Sequence, residues 1–135
     1  MKIGELAGQT GYTVEAIRHY EHAGLLPKPA RSAGNYRVYE ERHLKRLQFI
    51  RHCRALDMGL EEIRTLLAVR DQPEQSCAAV DAMLDVHIAE VGQRIAGLRA
   101  LEQQLLALRG LCGISQTARD CAILQCLGEV ADQKA

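Results

Sequence analysis

The chain has 135 residues, a formal net charge of zero and aromatic side chains at only 4% of its positions. This length suits one domain or two small ones. No apolar run reaches the ~18 residues of a membrane-spanning helix, and the polar start does not resemble a signal peptide. We therefore expect a cytoplasmic protein with no membrane partner. Its five cysteines are then expected to be free thiols, because the cytoplasm is reducing.

Charge is distributed unevenly along the chain. Residues 1–55 contain ten Lys or Arg and five Asp or Glu, whereas residues 56–135 contain seven and twelve. This pattern favours a polyanion as the partner of the first part, with an ordinary solvated basic face as the alternative.

The start of the chain predicts a helix-turn-helix. Apolar side chains share one helical face over residues 2–9, and a turn follows at Gly11. Thr13 is a favourable N-cap for a second helix over residues 14–23, which Gly24 ends. Two short helices joined by a turn with glycine are typical of this motif.

The next segment predicts a small β-hairpin, or wing. A turn with Asn35 is followed by alternation from Tyr36 to Tyr39. In this interpretation Arg37 reaches a phosphate while the rings of Tyr36 and Tyr39 lie along the sugar backbone. The alternative is an ordinary hairpin with a surface arginine.

Two further helices are predicted after the wing. Glu40 and Glu41 open the first, which carries apolar positions and a basic side, and Cys53 falls among the apolar positions as a core residue. The second helix is predicted over residues 60–70. The basic side consists of Arg42, Lys45, Arg46, Arg51 and Arg54.

A long helix is predicted over residues 80–108, where apolar side chains recur at steps of four and three, as in a coiled coil. Its length is roughly 43 Å, which favours pairing with a copy of itself over packing within one small domain. The repeating positions are Val80, Leu84, His87, Val91, Arg94, Leu98, Leu101, Leu105 and Leu108.

Three cysteines lie beside the ends of this helix. Cys77 precedes it, whereas Cys112 and Cys121 follow it. If two copies pair antiparallel, Cys77 of one chain comes beside Cys112 and Cys121 of the other, and two identical sites form. The alternative is that all three thiols are buried core residues.

Three thiolates would form a soft site, which favours Pb(II), Cd(II) or Hg(II) over Mg(II) or Ca(II). Three sulfur ligands suit Pb(II) or Hg(II), whereas Cd(II) or Zn(II) would add a fourth ligand such as water, Cys126 or His87. His87 and Cys126 are therefore possible secondary metal ligands. The sequence has no Ser-His-Asp arrangement, no glycine-rich phosphate loop and no paired carboxylates in a plausible cleft, so an enzyme is not expected.

The chain resembles the MerR family of transcription regulators. The amino-terminal resemblance is carried by residues 3–7 (IGELA), 14–21 (VEAIRHYE), 24–27 (GLLP) and 35–39 (NYRVY). The lead- and cadmium-responsive branch is indicated by residues 76–77 (SC), 85–88 (DVHI) and 121–125 (CAILQ). One departure is His19, where many members carry tyrosine.

The resemblance implies a mainly α fold. A winged helix-turn-helix DNA-binding domain with connector helices covers residues 1–75, and an antiparallel coiled-coil dimerisation helix covers residues 76–110. A metal-binding loop, a short helix and a tail occupy residues 111–135. The homodimer binds a palindromic promoter operator and, when Pb(II) or Cd(II) binds, distorts the DNA so that RNA polymerase can use it.

The resemblance also implies residue roles. Cys77, Cys112 and Cys121 bind the metal, and the regulated genes confer heavy-metal resistance by efflux. Alternatives are a mercury- or zinc-responsive regulator of the same family, or a thiol redox sensor in which Cys112 and Cys121 form a disulfide. The predicted DNA-binding residues are Thr13, Arg18, His19, Tyr20, Arg31, Asn35, Tyr36 and Arg37.

Overall fold

A computed structural model describes the backbone of residues 1–134 and the side chains of residues 1–129. Ala135, the end of the predicted tail, lies outside the described residues. The order of elements confirms the predicted mainly α fold with a wing, a long helix and a carboxy-terminal helix. The elements are α1 (Ile3–Thr10), α2 (Val14–His22), β1 (Ala30–Arg31), β2 (Arg37–Val38), α3 (Glu41–Ala55), α4 (Leu60–Arg70), α5 (Ala78–Arg109), a 3-10 turn (Ala118–Asp120) and α6 (Ala122–Lys134).

The chain divides into two compact units, Met1–Asp85 and the residues from Val86 onwards. The boundary falls inside α5, whereas the sequence places a domain boundary before that helix. The predicted limits of the three functional regions stay a prediction. The helix predicted near Cys121 is longer than expected, since α6 continues to Lys134.

The helix-turn-helix follows from local sequence signals. Gly11 ends α1 with a φ of 78°, a left-handed conformation that glycine adopts at little cost, and its N–H donates to Ala7 O. The Thr13 side chain then caps α2 by accepting a hydrogen bond from Ala16 N at 3.1 Å. The turn between the two helices is therefore encoded within a few residues.

One apolar core fills the first unit. Its buried side chains come from helices α1 to α4 and from the segments between them, so the apolar faces of these helices share one core. Cys53 is 6% exposed, which confirms its predicted core position, and burial raises the pKa of its thiol. The core is Leu6, Ile17, Tyr20, Leu25, Leu26, Tyr39, Leu47, Ile50, Cys53, Met58, Ile63 and Leu67.

The wing is a two-stranded antiparallel ribbon in which Ala30 pairs with Val38 and Arg31 with Arg37. The chain's own start anchors its base, because the Met1 amino group donates to Tyr39 O at 2.7 Å and Tyr39 N donates to Met1 O at 2.8 Å. Tyr39 is 1% exposed. The expectation that its ring lies along a sugar backbone is therefore wrong, since that ring belongs to the core.

The predicted basic side of α3 is largely occupied by structural contacts. Arg46 Nε donates to Leu25 O at 2.6 Å, and its guanidinium pairs with Asp71 at 2.8 Å. Arg51 donates to Thr10 O, and Arg54 donates to Met58 O at 2.9 Å. These three arginines thus close helix ends and turns, while Arg42, Lys45, Arg51 and Arg54 of the predicted basic side are exposed.

His43 is completely buried at the start of α3. Its Nδ1 accepts from Glu40 N at 2.9 Å, which leaves the proton on Nε2, 3.2 Å from Pro27 O. This neutral imidazole joins the start of α3 to the segment after α2. Burial, followed by the nearby Arg42 charge, lowers the pKa of His43.

We expect the protein to lose stability in mild acid through His43. Its pKa is lower folded than unfolded, where it lies near ~6.5, so its stabilisation is present above that value and disappears as pH falls through the folded pKa. Urea unfolding between pH 7.5 and 5 should show a fall in the free energy of unfolding. This fall in the free energy of unfolding should be smaller in His43→Gln than in the wild type. In the exposed control His52→Gln it should equal the wild-type fall. Equal slopes in all three proteins would contradict the prediction.

Candidate nucleic-acid interface and metal centre

Helix α2 presents two different faces. Ile17 and Tyr20 are buried in the core, whereas Arg18 and His19 are exposed between them. Because side chains separated by three residues share a helical face, burial of one pair directs the other pair outwards. The structure therefore makes Arg18 and His19 accessible to a partner, as the predicted recognition helix requires.

Two predicted DNA-binding residues of this motif have structural contacts. Tyr20 is 8% exposed, and its ring packs edge-on against Tyr12 with centroids 5.3 Å apart. Thr13 is exposed, but its hydroxyl already accepts the capping bond from Ala16. Both residues support the shape of α2, and their contact with DNA stays a prediction.

The wing exposes the other predicted DNA-binding residues. Arg31 Nη1 donates to Asn35 O at 3.1 Å, which closes the hairpin turn where Asn35 has a φ of 64°. Tyr36 is 66% exposed, and the Lys2 amino group lies 5.5 Å from its ring centre. The tip of the wing thus carries exposed cations beside an exposed aromatic ring.

Glu21 joins the wing to α2, a contact that sequence reasoning missed. Its carboxylate accepts from Arg37 Nη1 at 3.0 Å and from the Tyr39 hydroxyl at 3.4 Å, and its side chain is only 9% exposed. Burial raises the pKa of Tyr39, so its hydroxyl remains a donor. Arg37, which is 40% exposed, is held in place by Glu21 but is still accessible.

A cleft of about 620 Å³ opens between α2 and the wing. Four permanently charged cations and two carboxylates line it, so its net charge is positive. Such a surface suits a phosphate backbone, with Arg18 and His19 accessible for base contacts. The lining residues are Glu15, Arg18, His19, Glu21, His22, Lys28, Pro29, Arg31 and Arg37.

The second unit contains the segment predicted to bind metal. Helix α5 ends at Arg109, and Cys112 lies in the following loop with its Sγ 3.0 Å from Ile114 O. Cys121 follows the 3-10 turn and immediately precedes α6. Both thiols are partly exposed.

Cys77 immediately precedes α5 and is exposed. Its carbonyl accepts from the N–H groups of Val80 and Asp81, so it forms the start of the helix. The alternative that all three thiols are buried core residues is thus wrong for the single chain. Among the side chains described, those of residues 1–129, one chain contains no group of three that could bind a metal. A site shared between two subunits stays a prediction.

The two possible secondary ligands differ in exposure. His87 is 7% exposed, which agrees with a packed histidine, and Cys126 is half-buried on α6. Their roles as ligands stay predictions.

The rest of α5 displays unpaired apolar surface. Between Ile95 and Leu106 the large apolar side chains are 45–65% exposed, and a groove of about 580 Å³ runs between them. Exposed apolar patches of this kind mark interaction surfaces. The exposed side chains are Ile95, Leu98, Leu101, Leu105 and Leu106.

Comparisons with known proteins identify the class to which this arrangement belongs. Residues 1–69 match the family model of MerR HTH family regulatory proteins, and residues 44–108 match the model described as MerR, DNA binding. The chain therefore belongs to the MerR family. It is a transcription regulator and not an enzyme. Among the described helices, none combines the length and apolarity needed to cross a membrane.

Relatives within the family include regulatory proteins, one of them named for mercuric resistance. The chain is 49% identical over 81% of its length to an HTH-type transcriptional regulator ZntR homolog of Haemophilus influenzae, of which it covers 81%. It is 34% identical to the mercuric resistance operon regulatory protein of Bacillus cereus, with 93% of this chain and 96% of that protein covered.

A solved structure is similar over nearly the whole chain. The crystal structure of the transcription regulator PbrR691 from Ralstonia metallidurans CH34 in complex with lead(II) matches with a TM-score of 0.85 and 53% identity. The match covers 94% of this chain and 98% of that one.

Proposed function

We propose that this protein is a metal-dependent transcription regulator whose effector is Pb(II) or Cd(II). As a homodimer it binds a palindromic promoter operator and activates heavy-metal resistance genes. Metal binding to Cys77, Cys112 and Cys121 at the dimer interface changes the dimer so that it distorts the DNA. RNA polymerase then engages promoter elements that were out of alignment.

The observation that carries this proposal is the contrast among the thiols. Cys53 is buried and its pKa is raised by burial, which leaves it inert, whereas Cys77, Cys112 and Cys121 are accessible. Three thiolates supply three soft ligands, and Pb(II) needs few further donors, so this donor set fits Pb(II). When bound, such an ion would supply a fixed link among the three chain segments that carry these cysteines.

A homodimer is supported by the exposed apolar strip on α5. Two copies of this strip would bury each other's apolar surface, and an antiparallel pair would bring Cys77 of one subunit to the loop of the other. The three predicted regions, 1–75, 76–110 and 111–135, then serve DNA binding, dimerisation and metal binding in turn.

Promoter DNA is supported as the partner by the cationic cleft beside α2. Its four Lys and Arg side chains, which include the exposed Arg18, suit one half-site, and a two-fold dimer would present two such surfaces. The protein would act in the cytoplasm, where its thiols stay reduced.

Lead(II) is the first effector to test, because the similar PbrR691 structure is a lead(II) complex. We expect Pb(II) to raise in vitro transcription from the protein's promoter by at least about tenfold. Cd(II), Hg(II) and Zn(II) should be titrated in parallel, with a hydrogen peroxide series. A response to peroxide without a response to any metal would overturn the proposal in favour of a thiol redox sensor.

A further inference from the structure

Two side chains tie the loop between α5 and α6 to its flanking helices. Arg109, the last residue of α5, donates from Nη1 to Cys112 O at 2.7 Å. Gln125 of α6 donates from Nε2 to Arg119 O at 3.1 Å. One anchor thus holds the backbone of the first loop cysteine, and the other holds the backbone two residues before Cys121.

The loop contains local turns, and most of its residues are exposed. Cys112 Sγ lies 3.0 Å from Ile114 O, and the Thr117 hydroxyl donates to Asp120 at 3.2 Å. Both bonds join residues within the loop, so they shape its turns. The bonds from the Arg109 and Gln125 side chains join the loop to the ends of α5 and α6, beside the backbone bonds from Cys112 N to Arg109 O at 3.5 Å and from Gln125 N to Cys121 O at 3.1 Å.

Arg109 also brings charge to the loop. Three thiolates around a divalent ion carry a net charge of −1, and the Arg109 guanidinium binds the carbonyl of one of the three predicted ligands. A cation held there offsets the negative charge of the loaded centre. Side chains that orient ligands from outside the coordination shell typically change metal affinity by about 10- to 100-fold.

We propose that Arg109 and Gln125 are positioning residues of the metal centre, which hold Cys112 and Cys121 from opposite ends of the loop, and that Arg109 also compensates the charge of the loaded site. The inference rests on the proposed function, since it assigns these side chains to the same three-cysteine centre. It gives roles to two residues, of which Gln125 ends the motif at residues 121–125 and Arg109 lies outside the quoted motifs.

The test compares matched variants of the full-length protein. Arg109→Gln removes the charge, Arg109→Lys keeps it, and Gln125→Ala removes the second anchor. Arg99→Gln and Gln103→Ala are controls, because these α5 residues are exposed and make no side-chain hydrogen bond or ion pair among the residues described. Lead(II) affinity is measured by chelator competition, and amide hydrogen exchange of residues 110–121 is measured without metal.

We expect Arg109→Gln to weaken Pb(II) binding about tenfold. Arg109→Lys should weaken it less, because lysine retains the positive charge. Gln125→Ala should weaken binding by several-fold, and both anchor losses should speed exchange in the metal-free loop. Affinity equal to wild type in Arg109→Gln and Gln125→Ala would overturn this proposal alone. Failure of the wild-type protein to bind either Pb(II) or Cd(II) would instead overturn the proposed function, and this inference with it.

Discussion

Replacing any one of Cys77, Cys112 or Cys121 with serine is expected to abolish metal-dependent induction while leaving operator binding intact. A serine hydroxyl is a hard ligand that stays protonated at neutral pH, so it does not replace a thiolate toward a soft ion. Pb(II) affinity should fall by more than about a hundredfold, because losing a metal ligand weakens binding more than changing a side chain outside the coordination shell. Chelator competition and operator binding measure the two effects separately.

Mixed dimers test whether two subunits share each site. A Cys77→Ser subunit paired with a Cys112→Ser, Cys121→Ser subunit retains one complete site if the ligands come from both chains. Such heterodimers should bind one Pb(II), although neither homodimer binds it. Failure to restore binding would contradict the shared site. Ser115→Ala, in the same exposed loop, is the control and should bind as wild type.

Loss of operator binding is expected from Arg18→Ala. Arg18 is exposed on α2 and lines the cationic cleft, and an arginine that contacts base edges contributes about 1–3 kcal/mol. A dimer carries two such residues, so the loss is about 2–6 kcal/mol, or at least about thirtyfold in affinity. Electrophoretic or anisotropy titration with promoter DNA at fixed salt measures it.

Comparison with Lys45→Ala distinguishes the loss of a specific Arg18 contact with DNA from the loss of one positive charge. Lys45 is an exposed cation of the same unit that lines a different cleft. Its removal should change affinity by less than about threefold, since a single distant charge is screened at physiological salt. Equal losses in the two variants would contradict a specific role for Arg18. Circular dichroism should be unchanged in both, because neither side chain is buried.

Sequence periodicity correctly predicted the helices because their signals are local. The limits of α4 and the Thr13 cap match the expectation, and Cys53 is in the core where its helical spacing placed it. Amphipathic spacing and capping act between residues three or four positions apart, so they can be read without the fold. The exposed apolar positions Leu98, Leu101 and Leu105 of α5 were predictable for the same reason.

The partners of charged and aromatic side chains were not predictable in this way. Glu21 meets Arg37 across 16 positions and Arg51 meets Thr10 across 41, so no local pattern signals either contact. Tyr36 and Tyr39 look alike in the sequence, yet one is 66% exposed and the other is 1% exposed. Tyr39 is buried because its hydroxyl bonds to Glu21 and its ring lies against that of His43, with centroids 5.3 Å apart.

The sequence by itself determined the helices, the family and the three cysteines that flank the long helix, because each depends on residue type and short-range spacing. Only the tertiary structure decided which cations remain accessible and which arginines close helix ends. It also decided that Arg109 and Gln125 hold the loop backbone. The contacts of Arg46 and Arg51 depend on where distant segments pack, whereas Arg109 and Gln125 bond to residues three and six positions away. In both cases a long side chain reaches whichever acceptor the fold brings within hydrogen-bonding distance.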